Sequence, residues 1–199
     1  MIQRYPLGKD FVGLRERLEG EVRRCGLCDY VDKPFLEHGV YSWLPERTKI
    51  LAIGESPPPG KKVGSLYNTG AFDRLRLSLA FILGVPQEKV LERLRGRGIF
   101  FTASVKCRPP DRKSIEEMRR RCVPLLRGEI RALQPKRILA MGRFAASSVC
   151  EIFGLEPPPC LKEIRRVKCG SAEIFFAPHP NYIFRFGRGL APELASLLG

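Results

Sequence analysis

Apolar residues recur every three or four positions between Asp10 and Arg24, at Phe11, Leu14, Leu18 and Val22. That spacing predicts an amphipathic helix that ends at Cys25. Lys49-Ile-Leu-Ala-Ile-Gly54 is then a short apolar run closing on glycine, the pattern of a buried strand. Residues 55–68 hold three prolines, two glycines and two lysines and read as loop. Thr69 is placed to cap a helix running through Phe72, Leu75, Leu79 and Phe81 to Gly84. Gly98 to Val105 reads as a second strand, leading into Cys107-Arg-Pro-Pro110. Ser114-Ile-Glu-Glu117 has the capping-box form, predicting a helix to about Leu133 with Cys122 inside it. Arg137 to Gly142 repeats the strand-then-glycine pattern, with another helix from about Phe144. Glu173 to Ala177 reads as a fourth strand, ending at Pro178-His179-Pro180.

Strands alternating with helices predict one α/β domain over residues 1–199, layered around a largely parallel sheet. Ligands gather beyond the carboxyl ends of such strands. Gly54-Glu55 and His179 both fall at strand ends and are expected to be neighbours.

Composition narrows the class. With 44% hydrophobic and 28% charged residues in 199, the chain reads as globular rather than disordered. Its longest apolar stretches, Leu77–Val85 and Ile174–Pro178, are too short to span a bilayer. The opening residues lack the apolar run of a secretory signal, so a cytoplasmic, nucleoid-associated protein is expected. Thirty-five Lys and Arg against twenty-one Asp and Glu leave a net charge of +14, which favours a polyanion such as nucleic acid.

Of seven cysteines, Cys25-Gly-Leu-Cys28 forms a CxxC, and Cys107 and Cys122 follow. In a reducing compartment such pairs signal metal or redox chemistry more than disulfides. Two thiolates converge from one turn, and a second pair completes a zinc site or an iron–sulfur cluster. A thioredoxin-like redox motif fits less well, because it sits between a strand and a helix start whereas this CxxC ends a helix. Cys150, Cys160 and Cys169 read as small buried hydrophobes, with a Cys160–Cys169 disulfide as the alternative.

Three further segments join these cysteines: Gly54-Glu-Ser-Pro-Pro58, Val105-Lys-Cys-Arg-Pro-Pro110 and His179-Pro-Asn-Tyr-Ile-Phe-Arg185. In combination with the CxxC and the helical Cys122, they resemble the iron–sulfur branch of the uracil-DNA glycosylase superfamily. The resemblance runs from Cys25 to about Arg185. It implies a three-layer α/β sandwich with a central four-stranded, mainly parallel sheet. It also implies a structural [4Fe-4S] cluster on Cys25, Cys28, Cys107 and Cys122, with zinc as the alternative metal.

The implied chemistry is hydrolysis of an N-glycosidic bond after the nucleotide is flipped from the duplex. Glu55, following Gly54, would position water or stabilise the cationic sugar, and His179 would donate to a base carbonyl as negative charge develops. Tyr67 would stack on the base where family members use an aromatic residue, usually Phe. Tyr182, Ile183, Phe184 and Arg185 fall where the family places its intercalating loop. Pro57–Pro59 would form a stiff edge against the backbone. Lys61, Lys62, Lys106, Arg108 and Arg112 would contact phosphates. The implied partner is DNA with a damaged or deaminated base, other repair or replication factors would be further partners, and the protein would act as a monomer with no membrane association.

Two departures change this picture. Uracil-excising members usually end the second strand in TNVVKC, whose asparagine reads the uracil edge; here Thr102-Ala-Ser-Val-Lys-Cys107 puts Ala103 there. An alanine side chain neither donates nor accepts, and Asn68 in the preceding loop is the substitute reader to consider. After Gly54-Glu55 the family continues with acidic residues and PFVGRAG, whereas this chain has Pro-Pro-Pro-Gly-Lys-Lys-Val-Gly64. The alternative reading is an iron–sulfur DNA-binding protein that keeps the fold and has lost the chemistry. A bifunctional lyase using Lys61 or Lys62 as its Schiff-base amine is a third reading.

Overall fold

The computed structural model describes residues 9–28 and 32–199; the opening residues read for a signal lie outside it. Helix α1 (Lys9–Arg24) comes first, then the single turn α2 (Pro34–Glu37) and a 3-10 turn, Val40–Trp43. Strand β1 (Ile50–Gly54) leads through the proline-rich loop to α3 (Arg74–Leu83) and α4 (Val90–Gly96). Strand β2 (Ile99–Ala103) precedes α5 (Ile115–Leu133), and β3 (Arg137–Met141) precedes α6 (Arg143–Phe153). The hairpin of β4 (Arg165–Cys169) and β5 (Ala172–Ala177) ends in α7 (Pro180–Phe186), and α8 (Ala191–Leu197) follows.

The sheet order is β2-β1-β3-β5-β4, with β4 antiparallel to β5 and every other pair parallel. The expected four parallel strands are therefore present, and β4 adds a fifth at the edge. β4 escapes a hydrophobicity reading because Arg165, Arg166 and Lys168 occupy three of its five positions, as suits an edge strand kept from pairing further.

Alternate side chains of each parallel strand feed opposite layers. Leu51, Ile53, Phe100, Ile138, Ala140, Ile174 and Phe176 pack with Leu18 and Val22 of α1, Leu126 of α5 and Val149 of α6. Ile50, Ala52, Ile99, Phe101, Leu139, Met141, Phe175 and Ala177 pack with Leu79 of α3, Leu91 of α4, Ile183 of α7 and Leu194 of α8. A third, smaller cluster gathers Val105, Cys107, Ile115, Met118, Cys122 and Phe144 around two of the cysteines.

Two helix starts differ from expectation. Asp73, not Thr69, caps α3, its carboxylate accepting the Arg76 N–H at 2.8 Å. Ser114 makes no cap with its side chain; its N–H and hydroxyl both donate to Asp111 Oδ1, and Glu117 pairs with Arg121 instead of closing the box. At α3 an aspartate takes the capping role that the Thr69 hydroxyl was expected to fill, while at α5 Ser114 remains the N-cap residue but its hydroxyl is drawn to Asp111.

Candidate active site at the carboxyl edge of the sheet

Strand order reverses about β1: the chain moves to β2 on one side and returns to β3 on the other. In open α/β sheets ligands bind beyond the carboxyl ends of the strands at such a reversal. Gly54 and Glu55 end β1, Gly142 follows β3, and His179 follows β5. The β1–β2 ladder continues past the strands, as Ser104 N–H donates to Gly54 O at 2.9 Å and Val105 N–H to Glu55 O at 3.1 Å. The Glu55 backbone is thereby fixed. A Cβ on Gly54 would meet the Phe101 ring at 3.0 Å, so a larger residue there would have to push that ring aside.

Glu55 lies over the start of α6. Gly142 has φ +91°, and a Cβ there would stand 2.7 Å from Glu55 Oε1. The carboxylate accepts the Arg143 and Phe144 backbone N–H groups, filling the helix N-terminus as an anion. Burial raises its pKa, while Arg112, Arg143 and the two N–H bonds oppose that rise. The second strand-then-glycine motif thus builds the cradle for the first motif's carboxylate. The repetition was visible in the sequence, but its purpose needed the β1–β3 pairing.

His179 is the N-cap of α7, and its Nδ1 accepts the Asn181 N–H at 3.2 Å. Burial, with Arg112 adding to it, lowers its pKa to about 4. At neutral pH the ring is uncharged, and with Nδ1 accepting, the proton sits on Nε2. Gly142, against which Glu55 stands, donates its N–H to Ala177 O at 3.0 Å, two residues before His179. Both groups therefore lie at the same carboxyl edge, and the charge of exposed Arg112 acts on each.

Ala103 is buried at the end of β2, paired in register with Gly54. Tyr67 is half-buried, its hydroxyl donating to Phe101 O at 2.5 Å. Asn68 donates its side-chain amide to Val63 O at 2.8 Å, which turns it into its own loop. Asn68, Lys61, Lys62 and Val63 face Asp32, Glu37 and His38 across an open cleft of about 290 Å³. Of the loop prolines, Pro57 is buried and Pro58 and Pro59 are half-buried.

Several expected DNA contacts need correction. Arg108 is 4% exposed, bonded to Asp32 at 2.5 Å and to Pro58 O at 2.9 Å, so it braces the loop and is not free for phosphate. Lys106 is fully buried. Its ammonium donates to Glu129 Oε2, Thr102 Oγ1 and Ala103 O, each at 2.7 Å, and stands 5.0 Å from the Phe35 ring centre. Glu129 also accepts from Tyr41 Oη at 2.5 Å and Thr102 Oγ1 at 2.9 Å. Sequence reasoning missed this network because Glu129 lies 23 positions from Lys106. The segment from Tyr182 to Arg185 is helical, and Ile183 is fully buried against the α3 layer, so it is not an intercalating wedge. Tyr182 and Arg185 are exposed and Phe184 is half-buried.

Cys25, Cys28, Cys107 and Cys122 line one cavity of about 50 Å³ with Lys33 and Arg121. Lys33 Nζ donates to the Val22, Arg23 and Cys25 carbonyls, holding the end of α1 beside that cavity. Burial and the neighbouring thiols push Cys107 up to about 12, and burial raises Cys122 against the Lys106 N–H and charge. Among the described residues, no three Cys, His, Asp or Glu form a group tight enough to hold a single metal ion. Cys150 is buried, Cys169 half-buried and Cys160 exposed, all with free thiols, so Cys160 is not the core residue expected. Among the described residues no helix is long and apolar enough to cross a membrane.

Comparison with known proteins agrees with this arrangement. The family model of the uracil DNA glycosylase superfamily matches residues 41–196. A type-5 uracil-DNA glycosylase of Pyrobaculum aerophilum is 23% identical over 163 residues, covering 78% of this chain and 72% of that protein. A type-4 uracil-DNA glycosylase of Archaeoglobus fulgidus is 28% identical over 138 residues, 68% of this chain and 63% of the relative. A type-4 enzyme of Pyrobaculum aerophilum is 30% identical over 106 residues, 53% and 50% of the two chains. With the family's fold, its motifs at the strand ends and a match over most of its length, this chain belongs to the uracil DNA glycosylase superfamily.

Proposed function

We propose that the protein is a monofunctional DNA glycosylase that hydrolyses the N-glycosidic bond of uracil or a related deaminated base in DNA. The observation that supports this reading is the placement of Glu55 after β1 and His179 after β5, at one carboxyl edge of the sheet where the strand order reverses. In the reaction the C1′–N bond breaks with its electron pair going to the base, and water adds to C1′. The Glu55 carboxylate, held by the α6 N-terminus, faces the cationic sugar and takes the proton of the attacking water. The neutral His179, with its proton on Nε2, donates a hydrogen bond to the departing base anion. A neutral donor strengthens as charge develops without having bound the ground state as an ion pair. The reading that the fold survives without chemistry is disfavoured, because the relatives are uracil-DNA glycosylases and the chain keeps a carboxylate and a histidine at the strand ends.

Cys25, Cys28, Cys107 and Cys122 would hold a [4Fe-4S] cluster, which when bound cross-links the end of α1 to α5 and the β2 exit. Four cysteines lining one cavity are the donor set that such a cluster takes, with zinc, which is also held by four thiolates, as the alternative. The Lys106 N–H at Cys122 and the Lys33 charge near Cys107 partly oppose the burial that raises both thiols.

The test is excision from oligonucleotides carrying uracil, hypoxanthine or xanthine, scored as abasic-site product, with Ala103→Asn alongside. Product from one or more lesions in the wild type is expected. Tight binding without product from any of them would overturn the reading. A gain of uracil activity confined to Ala103→Asn would place the native base elsewhere.

A further inference from the structure

The outward face of α7 carries more aromatic surface than catalysis uses. Tyr182 and Phe186, one helical turn apart, are exposed, Phe186 by 67%, and their ring centres are 5.7 Å apart. Phe81 of α3 is also exposed and meets Phe184 edge-on at 5.4 Å. Each pair has an arginine against it. Arg185 lies 4.9 Å from the Phe186 ring, and Arg188 lies 5.5 and 5.6 Å from Phe81 and Phe184. Arg74 stands two turns before Phe81 on the same face of α3. Between His179 and Ala191 the sequence has two arginines and no acid.

We propose that this aromatic–arginine face of α7 and α3 is a stacking platform for single-stranded DNA running away from the site at His179. Rings exposed in pairs suit unstacked bases, which a duplex does not offer, and guanidinium planes serve both bases and phosphates. The charge excludes an acid-poor or basic protein partner. Phe186 lies about 10 Å along the helix from His179, so the strand flanking a flipped nucleotide reaches it directly. The platform rests on DNA being the partner but not on excision, so it is tested with undamaged DNA.

The experiment compares binding of a labelled undamaged 15-nucleotide single strand with the matching duplex by fluorescence anisotropy. The proteins are wild type, the Tyr182→Ala/Phe186→Ala double variant and Phe186→Trp. Loss of stacking costs about 1–3 kcal/mol per base, or roughly 5- to 150-fold. The single-strand affinity of the double variant is expected to fall within that range while duplex affinity changes less than threefold, and Phe186→Trp retains single-strand binding. Equal losses on both forms, or none on the single strand, would overturn the proposal. So would concentration-dependent sedimentation of the wild type that the double variant abolishes, which would make the face a protein interface. Circular dichroism melting of each variant separates these outcomes from misfolding, in which case Phe186→Trp alone decides through its single-strand affinity relative to wild type.

Discussion

At the scale of single residues, the site depends on two groups displaced from their ordinary protonation in ways that favour the chemistry. His179 is held neutral: its pKa of about 4 lies below the ordinary 6.5. The unfolded chain binds this proton at higher pH than the folded one. Its contribution to stability is therefore complete above pH 6.5 and is lost as pH falls from 6.5 through 4. The span corresponds to up to about 3 kcal/mol at about 1.4 kcal/mol per pH unit. Chemical denaturation between pH 7 and 4 is expected to show this loss, and His179→Asn to flatten it; an unchanged slope in the variant would assign the loss to other groups. Glu55 has the opposite sign, with its folded pKa raised by burial. Its ionised form is less stable in the folded protein than an ordinary glutamate, so Glu55→Gln is expected to melt no lower than wild type at pH 8. An acid limb in kcat/KM above the ordinary carboxylate range is the kinetic counterpart.

At the scale of elements, the polar network around Glu129 joins β2, α5 and the turn at Tyr41, and its neighbours in sequence carry Cys107 and Cys122. Removing one charge of such a pair strands the other: Lys106→Met is expected to cost about 3–5 kcal/mol in urea denaturation. Lys106→Met/Glu129→Leu should recover much of that loss, whereas a double variant as unstable as the sum of the singles would mean the two do not interact. Parallel strands and their order of appearance were readable in the sequence because β1, β2, β3 and β5 are continuous apolar runs. Glu55 and His179 were legible from motifs at strand ends. Lys106 and Arg108 were misread as phosphate ligands because a basic residue beside a motif looks the same whether its partner is solvent or a distant carboxylate. The α7 segment looked like a loop because Pro180 and Gly187 bound a helix of only seven residues, too short for its period to register.

At the scale of the molecule, a basic chain of net charge +14 carries Glu55 and His179 at one edge of the sheet, with the exposed rings of α7 following His179. The cysteine cavity sits behind the β2 exit, tying the N-terminal helix to the core. Iron and acid-labile sulfide are expected near four each per chain in protein purified without oxygen. Cys122→Ser should lose them and melt several degrees lower; zinc at one per chain with no sulfide would replace the cluster by a simpler site. The central claim, that Glu55 and His179 together cut a glycosidic bond, is tested most directly by single-turnover excision of uracil from a G·U duplex with enzyme in excess. The wild type should convert the substrate, Glu55→Gln should be slower by roughly 10²- to 10⁴-fold, and His179→Ala by roughly 10²- to 10³-fold, with melting temperatures preserved. Excision by Glu55→Gln within threefold of wild type would contradict the account.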